Sequence, residues 1–160
     1  MSIARVREYL RPFGLDGSIL EFEVSSATVE LAAQAAGVIP ARIAKSLSFM
    51  LPDGPVLVVA AGDAKVDNPR FKAQFHTKAK MLSFDECAEQ IGHGVGGVCP
   101  FALNEGVRTY LDVSLKRFDT VFPACGSANS AIELTPGELA SAAQGFQGWV
   151  DVCKGWRDEE

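Results

Sequence analysis

Residues 47–61 read LSFMLPDGPVLVVAA, and the predicted fold rests on this stretch. Apolar residues occupy every second position over residues 47–51, as in a strand with one buried face. The turn-forming segment 52–54 follows, and residues 56–61 are a continuous apolar run that is typical of a buried strand. The sequence therefore predicts two neighbouring strands joined by a tight turn.

Outward from these two strands, short helices and short strands follow one another without a regular cycle. Helices are predicted after Ser26, over residues 67–75, after Ser83 and after Thr135, with capping boxes at the last two. Further strands are predicted over residues 18–24, 107–112, 120–122 and 131–134. Because a doubly wound fold repeats strand and helix regularly, this irregular order predicts instead a mixed α/β domain of the α+β type.

The composition is that of a globular protein. The chain has 160 residues, of which 48% are hydrophobic and 22% charged, so it is long enough to bury a substantial core. No second domain is indicated, and we expect one domain over residues 1–160. No apolar run is long enough to span a bilayer and no signal peptide is apparent, so no membrane partner is expected.

Four cysteines are spread widely along the chain: Cys87, Cys99, Cys125 and Cys153. Neither a C-x-x-C pair nor a cysteine–histidine ligand spacing occurs, which argues against a zinc site. Without a signal peptide, this cysteine usage favours reduced thiols and a cytoplasmic protein. We expect most of these side chains to be small buried hydrophobes.

Positive charge is concentrated in one segment of an acidic protein. The net charge is −5, which argues against extensive coating of nucleic acid, and no DNA partner is expected. Residues 65–80, in contrast, contain one acid, Asp67, and five cations that give the segment a net charge of +4: Lys65, Arg70, Lys72, Lys78 and Lys80. The segment is either a solvated face or a surface that meets a few phosphates.

Residues 92–100 read GHGVGGVCP and form a second informative stretch, here called the glycine loop. Glycine allows backbone geometries closed to other residues and lets a ligand touch the main chain. The loop is therefore either a tight surface turn or a ligand-binding segment that presents backbone groups. His93 could touch such a ligand or be held within the loop, and Cys99 could be reactive or packed inward.

Lys45 is an isolated lysine at the start of an apolar strand. Its ammonium either reaches the surface or faces an anionic or carbonyl group of a ligand. The familiar catalytic motifs are missing, since the sequence has no Walker motif, no G-x-S-x-G and no evident pair of carboxylates. The candidate functional groups are thus one lysine and the backbone of the glycine loop.

Five segments occur in the order and at the spacing of a known family. They are IAKSL at 43–47, GDAKVD at 62–67, GGVCPF at 96–101, LDVSL at 111–115, and Gly126 followed by IEL at 132–134. In these segments the chain resembles the YbaK/ProX family of aminoacyl-tRNA deacylases, which is related to the editing domain inserted in bacterial prolyl-tRNA synthetases. The resemblance covers residues 20–143, most of the chain.

This resemblance implies a fold, an activity and a partner. The fold would be a mixed, largely antiparallel sheet closing toward a barrel, with helices packed outside. The activity would be hydrolysis of a mischarged aminoacyl-tRNA, commonly proline tRNA carrying a wrong small amino acid, with no metal or organic cofactor. Mischarged tRNA would be the partner, and an aminoacyl-tRNA synthetase a further one.

The resemblance also assigns residues to a site. The functional lysine of the family falls on Lys45 and its G-x-x-x-P loop on residues 96–100, so Lys45 and the Gly96 backbone are the expected catalytic groups. The candidate substrate-binding residues are Ser46, His93, Gly97, Val98, Cys99 and Pro100. The cations of residues 65–80 would contact the acceptor stem. Some thiol-selective relatives carry an aspartate where this chain reads NSA at 129–131, which argues against cysteine as the amino acid removed.

Two other functions are compatible with the same residues. A family member that docks on tRNA or on a synthetase without hydrolysis would bind and release no amino acid. A small-molecule ester or thioester hydrolase would use the same pocket without RNA, and its turnover would depend little on salt.

Overall fold

The computed structural model describes residues 2–157. Its helices are α1 (Ser2–Leu10), α2 (Val29–Ala36), α3 (Asn68–Phe75), α4 (Phe84–Ile91) and α5 (Pro136–Ala142). Its strands are β1 (Ile19–Glu21), β2 (Ile43–Leu51), β3 (Gly54–Ala61), β4 (Lys65–Val66), β5 (Arg108–Asp112), β6 (Phe122–Pro123), β7 (Ser130–Ile132), β8 (Phe146–Val150) and β9 (Cys153–Lys154). None of the helices within residues 2–157 is both long enough and apolar enough to cross a bilayer.

Five strands form a curled mixed sheet in the order β6-β2-β3-β5-β8, which is a half-barrel with helices around it. Strands β2 and β3 pair antiparallel, from Ala44 opposite Ala61 to Leu51 opposite Gly54. The other three pairings of this sheet are parallel. Two small antiparallel sheets, β1–β7 and β4–β9, are also present. The expected mixed sheet with external helices is confirmed, and within the half-barrel its antiparallel part is the β2–β3 hairpin.

The connections explain which strands are parallel. Strands β2 and β3 are joined by the predicted turn at residues 52–53, which is short enough only for an antiparallel pair. Helices α3 and α4 lie between β3 and β5 in the chain, and α5 lies between β5 and β8. A parallel pair needs a long crossover connection, and these helices supply it for the β3–β5 and β5–β8 pairs. The short turn and the long crossovers together make the sheet mixed.

Strand β3 lies between two parts of the hydrophobic core, which accounts for its continuous apolar sequence. All six residues from Val56 to Ala61 are 0% exposed. Val58 belongs to the main core cluster, whereas Leu57 packs in a second cluster with Ile91 of α4. Because both faces of the strand are covered, no polar residue alternates with the apolar ones.

The predicted helix starts at the two capping boxes are confirmed. The Ser83 hydroxyl accepts a hydrogen bond from the Glu86 backbone N–H at 3.2 Å, and the Glu86 carboxylate accepts one from the Ser83 N–H at 2.9 Å. Thr135 and Glu138 make the same reciprocal pair at the start of α5. The helix predicted over 67–75 is also present, and its first turn is capped by the Asp67 carboxylate.

The predicted strand at residues 18–24 is shorter in the structure. Only Ile19–Glu21 pairs, with β7, and the side chain of Val24 is 61% exposed. The next helix is capped by Thr28, which accepts a hydrogen bond from the Leu31 N–H, and not by Ser26. Alternating apolar residues therefore marked an extended loop here as well as a strand, and Ser26 is buried two residues before the cap.

Four of these helices and strands lie where none was predicted: α1, β4, β8 and β9. Helix α1 buries Val6 and Leu10 completely against the main core. Strand β8 completes the edge of the half-barrel beside β5, and β9 pairs with β4 so that Lys154 lies opposite Lys65. Strand β2 also begins at Ile43, so Lys45 lies inside the strand and opposite Ala60 of β3.

Candidate functional site

A cavity of about 270 Å³ opens between helix α2, strand β2 and the glycine loop. Its walls come from residues 26–29 before and in α2, residues 43–48 of β2, and the glycine loop around Gly96. Met81 and Leu82 close one side, and residues near β6 and β7 close the other. The volume is close to the lower end of the range for small-molecule sites, which is about 300–1,000 Å³.

The cavity brings together part of the predicted site. Lys45, Ser46, Gly96 and Val98 line it, although Lys45 and Gly96 are 51 positions apart in the chain. The other four candidates are absent from its lining: His93, Gly97, Cys99 and Pro100. These four residues of the glycine loop are buried.

Lys45 is half-buried, and its ammonium is held by two backbone carbonyls. Its Nζ donates to the carbonyl oxygen of Gly62 at 3.4 Å and, more closely, to that of Ala64. Burial lowers the pKa of Lys45 from its ordinary value, and the neighbouring Cys153 thiol and Asp63 carboxylate act in the opposite direction. An ammonium has three N–H donors, so one remains for a ligand once the two carbonyls are satisfied.

The glycine loop is pressed against the segment that follows Cys125. A Cβ added to Gly97 would lie 2.7 Å from the carbonyl carbon of Gly126 and 2.8 Å from the backbone nitrogen of Ser127. Only glycine permits this approach of two backbones. Gly96 has a positive φ of +98°, and a Cβ there would lie 3.4 Å from the Cβ of Ala27 in the cavity wall. The loop thus presents main chain to the cavity because glycines allow both its shape and its packing.

His93 and Cys99 hold the loop from inside. The Nε2 of His93 donates a hydrogen bond to the Phe101 carbonyl at 2.6 Å, and the Cys99 sulfur lies 3.6 Å from the same nitrogen. Burial lowers the pKa of His93, which favours the neutral ring. Burial also raises the pKa of Cys99 to about 12. The structure therefore shows that the His93 ring is hydrogen-bonded to the backbone directly after the loop and that the Cys99 thiol is packed inward.

The thiols are expected to be unreactive in the folded protein. All four cysteines are buried and unpaired, and with a pKa of about 12 only about one Cys99 thiol in ten thousand is a thiolate at pH 8. A disulfide reagent should therefore titrate no thiol within minutes in the native state, and four after denaturation in urea. A rapid single equivalent in the native protein would contradict this environment for the cysteines.

Two buried hydroxyls in the cavity wall have no hydrogen-bond partner among the described residues. They belong to Ser46 of β2 and Ser26, which precedes α2. An unmade hydrogen bond of a buried group costs about 1–3 kcal/mol. A ligand with a polar group at this position would satisfy one of them. Sequence reasoning missed Ser26 in this role, because a serine before a helix was interpreted as its cap.

The predicted cationic segment is divided in the structure. Arg70 makes ion pairs with Asp151 at 3.2 Å and Asp67 at 3.8 Å. The four lysines of the segment are exposed: Lys65, Lys72, Lys78 and Lys80. Lys80 directly precedes Met81 of the cavity wall, and its backbone carbonyl accepts a hydrogen bond from Met50 of β2 at 2.9 Å. Lys80 is thus adjacent in the chain to the cavity wall, and Lys65 follows Ala64, whose carbonyl accepts a hydrogen bond from Lys45.

No cluster of three or more His, Cys, Asp or Glu side chains suited to a metal ion occurs in residues 2–157. Fold and cavity together define a small α/β domain with a ligand-sized site at the wall of a half-barrel, and this site is lined by one lysine and by the backbone of the glycine loop.

Comparison with known proteins identifies the family of this domain. A model of the aminoacyl-tRNA editing domain matches residues 23–142, which is three quarters of the chain. The chain belongs to the family of aminoacyl-tRNA editing domains. It is 55% identical over 157 residues to protein YwhH of Bacillus subtilis (strain 168), described as uncharacterized, and the match covers 98% of this chain and 99% of YwhH.

Solved structures show the same fold. A crystal structure of a protein proposed as a trans-editing enzyme for prolyl tRNA synthetase superposes with a TM-score of 0.86 at 29% identity, covering 96% of this chain and 98% of that one. The crystal structure of hypothetical protein APE2540 gives a TM-score of 0.83 at 28% identity, covering 94% of this chain and 99% of that one.

Proposed function

We propose that this protein is a deacylase that acts in trans, hydrolysing the ester bond of a mischarged aminoacyl-tRNA. The candidate substrate is proline tRNA carrying a wrong small amino acid. Membership of the editing-domain family supports the reaction class, and the structural likeness to a protein proposed to edit for prolyl tRNA synthetase supports the choice of tRNA. Since charged tRNA is used in the cytoplasm, the proposal implies a cytoplasmic protein. We also propose that the protein acts as one domain.

One observation carries the proposal: Lys45 and the Gly96 backbone line the same cavity. Hydrolysis of an ester needs an oriented water and a group that stabilises negative charge on the carbonyl oxygen. The third N–H of the Lys45 ammonium can donate to that oxygen, while the other two are held by the Gly62 and Ala64 carbonyls. The absence of a side chain at Gly96 leaves room for the ester and its attacking water beside the main chain.

In the proposed reaction, the water oxygen forms a bond to the ester carbonyl carbon, and negative charge develops on the carbonyl oxygen near Lys45. The bond from that carbon to the ribose oxygen of the tRNA then breaks. One proton of the water remains on the acid product and the other ends on the ribose hydroxyl, so the step needs no further reactant. Because an aminoacyl ester is already activated, orientation in the cavity supplies much of the rate.

The cavity sets the size and polarity of the amino acid that fits. Its volume of about 270 Å³ must hold both the amino acid and the ester, which favours a small side chain. A hydrophobic pocket distinguishes one methylene by only about 1–3 kcal/mol. The unpartnered hydroxyls of Ser26 and Ser46 add a second criterion, since they favour a polar group at their position.

The exposed lysines of residues 65–80 are the proposed contacts for the tRNA backbone. Lys80 stands next to the cavity wall, and Lys72 and Lys78 precede it on and after helix α3. Arg70 contributes less to such a surface because its guanidinium is engaged by two aspartates. Phosphate contacts of this kind predict that KM for charged tRNA rises with salt concentration.

The test is a deacylation panel with tRNAs charged with Ala, Ser, Thr, Cys and Pro, each incubated with the wild type and with a Lys45 variant. The proposal expects release of at least one small amino acid by the wild type, with a rate that falls as salt is raised. Binding of charged tRNA without release would support a non-catalytic module instead. Equal turnover of free aminoacyl esters, with little salt dependence, would support a small-molecule hydrolase.

Gly96→Ala is expected to lower kcat/KM about tenfold or more. The added methyl group would stand in the cavity wall where the ester is proposed to approach, at a φ of +98° that an L side chain rarely adopts. Displacing the substrate in this way can cost up to about 100-fold in rate. Gly94→Ala is the matched control in the same loop, because its Cβ would meet nothing within 4 Å and its φ lies outside the left-handed region. The measurement is kcat/KM for deacylation by the two variants and the wild type. An unchanged kcat/KM for Gly96→Ala would refute the close approach of substrate to this backbone.

A further inference from the structure

The two carbonyls that hold the Lys45 ammonium belong to one tight turn. They are those of Gly62 and Ala64, and Asp63 lies between them at the end of β3. The turn is closed by a hydrogen bond from the Ala64 N–H to the Ala61 carbonyl at 3.0 Å. The position of the ammonium therefore depends on the position of this turn.

Arg117 binds the turn through the side chain of Asp63, which is the middle residue of the turn. Its guanidinium donates to both oxygens of the Asp63 carboxylate, at 3.0 and 2.6 Å. The Nε of Arg117 donates to the Ser114 carbonyl at 2.9 Å, and the Cζ atom of Arg117 lies 5.1 Å from the centre of the Trp156 ring. Two parallel hydrogen bonds from a fixed guanidinium define the direction of a carboxylate as well as its distance.

The same short segment of chain also holds the other side of the turn. The 3-10 turn Val113–Arg117 contains Ser114, whose hydroxyl accepts a hydrogen bond from the Ala61 N–H at 3.1 Å. This segment is itself anchored by the buried Asp112, which accepts from the N–H groups of Ser114 at 3.0 Å and Val152 at 2.9 Å. Residues 61 and 63, on both sides of Gly62, are thus hydrogen-bonded to the same segment, Val113–Arg117.

We propose that Arg117 is a positioning residue for Lys45, acting through Asp63 and the turn that carries the Gly62 and Ala64 carbonyls. This inference rests on the proposed function in so far as Lys45 serves the deacylation. The Arg117–Asp63 pair is partly exposed, with side chains 27% and 36% accessible, and pairs of this kind add little to stability. Its principal effect is on the place of the ammonium in the cavity.

The chain contains a matched ion pair that lacks this connection. Arg108 donates to both oxygens of Asp53, at 3.0 and 2.8 Å, and its side chain is also 27% accessible. This pair joins β5 to the β2–β3 turn, and neither residue lines the cavity. Arg108→Met and Arg117→Met therefore remove the same kind of interaction in two places.

The first experiment compares deacylation kinetics of these two variants. A small displacement of a catalytic group can cost up to about 100-fold in rate, so Arg117→Met is expected to lower kcat about 10- to 100-fold with little change in KM. Arg108→Met is expected to keep the wild-type kcat. The double variant Asp63→Arg with Arg117→Asp should recover part of the loss. Equal kcat for Arg117→Met and the wild type would overturn the inference.

The second experiment needs no substrate. With lysine labelled by 13C at Cε, the Lys45 resonance is assigned as the signal missing from the Lys45→Ala variant. Arg117→Met is expected to shift this resonance, and Arg108→Met to leave it in place. An unshifted Lys45 signal in folded Arg117→Met would overturn the inference, even if the wild type deacylated no tRNA. Inactivity of the wild type together with a shifted signal would refute the proposed function and support the positioning.

Discussion

Deacylation by the Lys45→Ala variant is expected to fall at least about 100-fold below the wild type, because loss of one donor to a developing oxyanion costs about 10²–10³ in kcat. Among the described residues that line the cavity, Lys45 is the one with a charged side chain. Alanine removes this charge and leaves the main chain of β2 unchanged. The measurement is single-turnover release of the amino acid from mischarged tRNA.

Folding of Lys45→Ala is expected to survive. The variant leaves the Gly62 and Ala64 carbonyls without their lysine donor, which is unfavourable. It also removes a half-buried ammonium, whose desolvation opposes folding. These effects have opposite signs, so the change in Tm should be small.

The control for this variant is Lys116→Ala. Lys116 is exposed, lies over the ring of Trp149 at 4.4 Å and is absent from the cavity lining. Its replacement should leave kcat unchanged, which separates loss of the Lys45 charge from loss of any one lysine. Near-normal turnover by Lys45→Ala would remove Lys45 from the mechanism. A folded protein with neither variant affected would assign the chemistry to another group.

Gly62→Ala is expected to produce the largest loss of stability of any variant considered. A Cβ at this position would lie 2.1 Å from the carbonyl oxygen of Pro40 and 2.7 Å from a methyl carbon of Val29. The first of these is backbone and cannot turn away, so the end of β3 or the segment before β2 must move. Overpacking typically costs about 1–3 kcal/mol, and a clash with fixed backbone places this variant at the upper end of that range. A loss of about 3 kcal/mol corresponds to a fall in Tm of roughly 6–12 °C in a chain of this size.

The same variant should also impair the site. The Gly62 carbonyl accepts a hydrogen bond from Lys45, and Val29 lines the cavity, so the displaced atoms belong to its wall. Gly17→Ala is the control, since a Cβ there would meet nothing within 4 Å and the backbone is not left-handed. Chemical denaturation of both variants measures the difference in the free energy of unfolding. Equal stability of Gly62→Ala and the wild type would show that the contact with Pro40 can relax.

The structure agrees with the sequence-based fold where the signal was local. The apolar run of β3, the turn at residues 52–54 and the capping boxes of Ser83 and Thr135 each depend on neighbours within a few positions. Prediction was poorer for residues 18–24, because an exposed loop and an edge strand share the same alternation. Helix α1 and strand β8 were not predicted, since they are ordered by packing against distant parts of the chain.

The candidate site shows the same division. Lys45 and Gly96 were selected as candidates from their motifs, and the structure places both in one cavity. The motifs did not distinguish Val98, which lines the cavity, from Cys99, which is fully buried and absent from its lining. The side chains of successive loop residues point in different directions. Which of them reaches the cavity depends on what the loop packs against, here Gly126 and Ser127.

The amino-acid sequence was sufficient for the class of fold, because short-range patterns of turns, caps and apolar residues encode the elements. It was also sufficient for the family and the two principal candidate groups, because five segments keep a characteristic order and spacing along the chain. The hydrogen-bond partners of Lys45 and the ion pair of Arg117 with Asp63 could not be predicted from the sequence. Residues 45, 63 and 117 are separated by 18 and 54 positions, and no local pattern specifies which of many distant groups will meet. Their meeting is fixed by the register of β2 on β3 and by the 3-10 turn after β5, which exist only once the half-barrel has formed.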